Sequence, residues 1–61
     1  MPAYDHDALL EHLAMQSRTL DAMVTLAHLD DSRTDALVPA IADQLVVMTE
    51  TVESLRQLGP R

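Results

Sequence analysis

The side chains of this sequence that titrate near neutral pH are three histidines, His6, His12 and His28. His6 stands between Asp5 and Asp7, a grouping able to bind a metal ion weakly. A helix brings two ligands together at spacings of three or four, whereas His6 and His12 are six apart. No HExxH, ExxH or His–xxx–His pair occurs, so the histidines read as surface residues and no metal or cofactor is expected. Glu50 and Glu53 lie one helical turn apart, and Glu11 is far from them in sequence. Paired carboxylates act as general acid and base inside a cleft that shifts their pKa values, and two short helices offer little room for one. Glu53 with Arg56, and Arg18 with Asp21, have the spacing of surface ion pairs. A phosphate loop, a nucleophile motif, a dinucleotide fingerprint and a basic patch are all missing. Catalysis is not the expected function.

Two glutamines carry more information. Gln16 falls on the apolar seam of the first predicted helix and Gln44 beside that of the second. An amide in an apolar interface can fix register, because misregister leaves it unpaired; alternatively each sits at a boundary with its amide in water. Met15, Met23 and Met48 recur at helical spacings and suit either an adaptable binding surface or, as the favoured reading, core filling.

The elements that position these residues follow from periodicity. Val38, Ile41, Leu45, Met48, Val52 and Leu55 alternate at three and four, the seam of a helix packed on other helices. In the first helix Leu9, Leu13, Leu20, Met23 and Ala27 form the corresponding seam, flanked by Leu10, Val24 and Leu26. That apolar arc is wider than one neighbour requires, as in a four-helix bundle. Asp5 or Asp7 can cap the first helix, which is predicted over about 7–29. The cluster LDDSRTD breaks the pattern, with Ser32 and Asp35 at capping-box spacing. Turn residues 30–32 are too few for anything but an antiparallel return. The second helix is predicted over about 33–58, with an irregular first turn on account of Pro39 and a stop at Gly59–Pro60. Ala40, Val46 and Val47 lie off the seam, as an exposed patch or, the favoured reading, as surface covered by a second subunit. Residues 1–4 are expected to fray, with Tyr4 able to order on a partner.

Composition narrows the classes. Sixty-one residues make one domain, and a chain this small hides only about 60% of its unfolded surface. Small folds then add disulfides, a metal or a second subunit. Cysteine is absent, which excludes disulfides and thiolate sites and leaves association. Phe and Trp are also absent, so the core must be aliphatic. A net charge of −6, with four arginines and no lysine, argues against nucleic-acid or anionic-membrane binding, which needs clustered cations. The N-terminus lacks the pattern of a signal peptide and no apolar run reaches the roughly 20 residues of a membrane span, so a cytoplasmic location is the default.

At the Leu29–Asp30 turn, its acidic followers and the two heptad helices of similar length, the layout resembles the plasmid Rop (repressor of primer) family of helical hairpins. The resemblance implies an antiparallel four-helix bundle formed by two copies, and binding to paired RNA loops. Its RNA contacts are not matched: the family's lysine, asparagine and phenylalanine positions fall on Ala3, Leu10 and Ala14, its glutamine on Arg18, and a further lysine on Thr25. An RNA-binding dimer would need a positive stripe built from Arg18, Arg33 and Arg56.

The expectation is therefore an all-α antiparallel two-helix hairpin, one domain over 1–61, dimerising into a four-helix bundle. Its function is expected to be that of a small acidic, non-enzymatic regulator or inhibitor that docks on a larger protein, of a kind that suits a phage or mobile-element origin. Met15, Ala40, Val46 and Val47 are the partner-binding candidates. An RNA-binding dimer and a structural assembly subunit are the alternatives.

Overall fold

The computed structural model describes residues 5–59. They form two α-helices joined by a single 3-10 turn, with no strand among the described residues. Helix α1 spans His6–Leu29 and α2 spans Thr34–Leu58; the 3-10 turn is Asp31–Arg33. Tyr4 and Pro60 lie outside the described residues.

Asp5, rather than Asp7, is the N-cap of α1: its carboxylate accepts the Ala8 N–H at 2.8 Å. This satisfies one of the donors that a helix start leaves without an internal partner. The helix stops at Asp30, whose backbone is extended and whose N–H still reaches Leu26 O at 3.0 Å. The same Asp30 side chain accepts from both the Ser32 N–H (3.1 Å) and the Ser32 hydroxyl (2.6 Å). The capping-box reading of Ser32 and Asp35 is thus corrected. Asp30 is the residue that caps the turn, and α2 begins after Arg33 without any side-chain cap. The Asp30 carboxylate oxygen accepts both bonds at once, and the Ser32 hydroxyl is turned back to it as a donor.

Pro39 lies inside α2. It has no N–H to give to the carbonyl of Asp35, and both residues are exposed, so water can reach that carbonyl. At the far end Gly59 closes α2 with φ 79° and donates its N–H to Arg56 O at 3.1 Å. A positive φ at the end of a helix is a conformation glycine adopts without a Cβ penalty.

The two helices run antiparallel and touch along their whole length. Three polar ties across the hairpin mark that length. At the closed end the Thr34 hydroxyl donates to Ala27 O at 3.3 Å. In the middle Gln16 joins Gln44 and Thr51. At the open end His6 Nε2 lies 2.8 Å from Gly59 O. The resulting rod measures 46 × 17 × 15 Å, two helices wide and one layer deep, so each helix has one neighbour and a broad flank without any.

Burial reflects that shape. Among the described residues only Leu9 (6% exposed), Thr51 (7%) and Gln16 (8%) are buried, and two of those three are polar. Leu13, Leu20, Met23, Ala27, Ile41, Met48 and Leu55 are half-buried. Val38, Leu45 and Val52, from the same predicted seam, are exposed in the hairpin, Val38 at 55%. The second-helix seam is therefore split, with one edge against α1 and the other turned away from it.

Candidate functional site

The hairpin has two long faces, and the side chains that border the line between its helices differ in charge and polarity from one to the other. On the first face Leu10, Leu13, Ala14 and Ser17 of α1 and Leu45, Met48, Thr49 and Val52 of α2 line an open groove of about 590 Å³. None of these carries a charge. Heptad spacing extends the face toward the turn: Val24 lies seven residues beyond Ser17, and Val38 seven before Leu45, each on the same side of its helix. Leu10, Val24, Val38, Leu45 and Val52 are all exposed along it.

The opposite face has a polar centre. The Thr51 hydroxyl donates to Gln16 Oε1 at 2.9 Å, and it also lies 3.3 Å from Val47 O in its own helix. Gln44 Nε2 donates to the backbone carbonyl of Gln16 at 2.9 Å. No buried side-chain nitrogen or oxygen among the described residues lacks a partner. This arrangement fixes the alignment of α1 against α2, because sliding either helix would strand a buried amide. Gln16 and Gln44 are the residues whose position suggested such a role. Thr51 was missed; the available signal was that it stands seven residues after Gln44, on the same row.

Two shallow troughs flank this network. One is bordered by Leu9, His12, Val47, Glu50 and Ser54, the other by His12, Met15, Thr19, Gln44 and Val47. Of the partner-binding candidates, Met15 and Val47 thus meet across one trough. Met15 is 61% exposed. Ala40 lies seven residues before Val47 and continues its row. Val46 does not belong with them: adjacent residues in a helix point about 100° apart, and Val46 borders neither trough. The four candidates do not form one patch.

The charged groups are dispersed. Arg33 pairs with Asp30 at 3.2 Å and Arg56 with Glu53 at 2.9 Å, each three residues apart on the surface. Such exposed pairs contribute at most about 1 kcal/mol each, but they neutralise two of the three arginines that a positive stripe would require. Among the described residues no group of three or more His, Asp or Glu side chains converges as a metal site would demand. No helix there is long and apolar enough to cross a membrane. No protein-family model, curated protein or solved structure matches the chain.

Proposed function

We propose that this chain is a small acidic, non-enzymatic protein-interaction module: a homodimer whose two hairpins pack as a four-helix bundle and dock on a larger protein as a regulator or inhibitor. The observation that carries the reading is the imbalance of burial. No side chain among the described residues is fully buried, while eleven large hydrophobic ones are exposed. An exposed, rimmed apolar surface on a small chain marks a contact surface. The surplus runs along both faces, and one partner can cover only one of them. A second copy on one side and a different protein on the other accounts for both. The Met15–Val47 trough supplies apolar contact for the second protein, and the acidic outer positions, Asp43 and Glu50 among them, supply an electrostatic rim that favours a basic partner.

The test is affinity capture from a lysate of the source organism, with wild type beside Met15→Asp and Val47→Asp. Capture of one defined protein, lost in both variants while each still sediments as wild type, supports the reading. Capture of nothing, or the same protein captured equally by all three, overturns it.

A further inference from the structure

We propose that the second copy sits on the Leu10–Leu45 face, leaving the Met15–Val47 trough outside the dimer. This rests on the homodimer reading above and names the surface it uses. The first argument is area. The hairpin exposes 4765 Å², whereas a compact folded chain of its 6.7 kDa is expected to expose about 3,900 Å². The excess, expected of a one-layer rod, is of the order of one partner's share of a standard protein interface, about 800 Å².

Charge argues for the same face. Each copy carries −6, so two copies repel, and the repulsion is least where the facing side chains are uncharged. The six positions Leu10, Ser17, Val24, Val38, Leu45 and Val52 hold no charged residue, and the charges on the neighbouring rows, Asp7 and Asp21 with Ala14 and Arg56 with Thr49, lie toward the ends of the face. The opposite face holds Glu50 and His12 beside a network whose hydrogen bonds are already made within the hairpin. Burying that face would desolvate Glu50.

The spacing along the face is compatible with a second copy of this chain as its occupant. In an interface between identical copies one patch must complement itself under a two-fold rotation. Leu10 and Val24 stand seven residues either side of Ser17, and Val38 and Val52 seven either side of Leu45. The row therefore reads large–small–large on α1 and large–large–large on α2 from either end. A rotation axis at the level of Ser17 and Leu45 lays small on small and aliphatic on aliphatic.

The test combines sedimentation of the full chain at tens of micromolar with a soluble paramagnetic probe read on its methyl signals. A dimer in which the methyls of Leu10, Val24, Val38, Leu45 and Val52 are shielded, and those of Met15 and Val47 are broadened, supports the proposal. A dimer with the reverse pattern overturns the face but leaves the homodimer reading standing. A cooperatively folded monomer overturns both. Leu45→Glu should weaken association more than about 100-fold, because it places an unpaired charge in the interface, whereas Val47→Glu should sediment as wild type. Dissociation of Val47→Glu would overturn the assignment even if Leu45→Glu fails to fold.

Discussion

Thr51→Val tests the polar centre of the hairpin most directly. The substitution keeps the branched shape at Cβ and exchanges the hydroxyl for a methyl group, with little change in helix propensity. What it removes is the donor 2.9 Å from Gln16 Oε1. Gln16 is 8% exposed, so its amide oxygen cannot turn to bulk water without opening the interface. An orphaned buried acceptor of this kind costs about 1–3 kcal/mol. Gln16→Leu removes the other partner, with an unequal consequence. The Thr51 hydroxyl still has Val47 O at 3.3 Å, and the Gln44 bond goes to the backbone carbonyl of residue 16, which any side chain keeps. Gln16→Leu should therefore cost less than about 1 kcal/mol. In the double variant nothing polar is stranded, and it should be more stable than Thr51→Val alone.

The assay is urea unfolding followed by helix circular dichroism, at one fixed protein concentration so that the proposed association contributes equally to every variant. The signature is a coupling energy of about 1–2 kcal/mol between the two sites. Equal losses from the two single variants that add in the double variant would refute the reasoning. So would a Thr51→Val protein within about 0.3 kcal/mol of wild type, well below the cost of a stranded acceptor.

Two further substitutions test the ends of the elements. Asp30→Ala removes the acceptor of both Ser32 bonds and the partner of Arg33. It should lower stability by about 0.5–2 kcal/mol and raise amide exchange at Ser32; Asp30→Asn should recover most of the loss, and failure to do so would mean that the ion pair, not the cap, carries the effect. Gly59→Ala meets no atom within 4 Å of the added Cβ, so its cost is backbone strain alone at φ 79°. A loss of about 1–3 kcal/mol, with fraying confined to the last turn by hydrogen exchange, is expected; an unchanged exchange pattern would show that the cap geometry contributes nothing.

The all-helical class and the two-helix count were legible because heptad spacing survives any choice of partner: Val38 through Leu55 can face one side only as a helix. Which neighbour lies on that side was not legible. Ile41 and Met48 are half-buried while Val38, Leu45 and Val52, on the next row, are exposed, and a difference of about 100° or less between rows is finer than apolar pattern resolves. Val46 and Val47 show the same limit from the other direction, since adjacent residues looked like one patch and the helix turns them apart. Gln16 was legible as an anomaly because an amide on an apolar seam stands out. Thr51 was not, because a threonine in a helix of this composition stands out only once its partner is known. At the turn, two acidic residues and a serine offered several caps of similar chemistry, and the reach of the Asp30 carboxylate to both donors of Ser32 decided among them.

The polar centre also bears on where stability comes from. A satisfied network adds little net free energy, about 1 kcal/mol per bond against water, but it penalises every wrong alignment. Apolar burial has to supply the rest, and within one hairpin Leu9 is the sole buried hydrophobic side chain among the described residues. Gln16, Gln44 and Thr51 therefore determine how the two helices align, while the uncharged row from Leu10 to Val52 holds the apolar area still free to stabilise them. If association covers that row, folding and association are one equilibrium, and the midpoint of unfolding must rise with protein concentration. A hairpin that folded fully before meeting its partner would show no such rise, and the division of labour between its two faces would have to be abandoned.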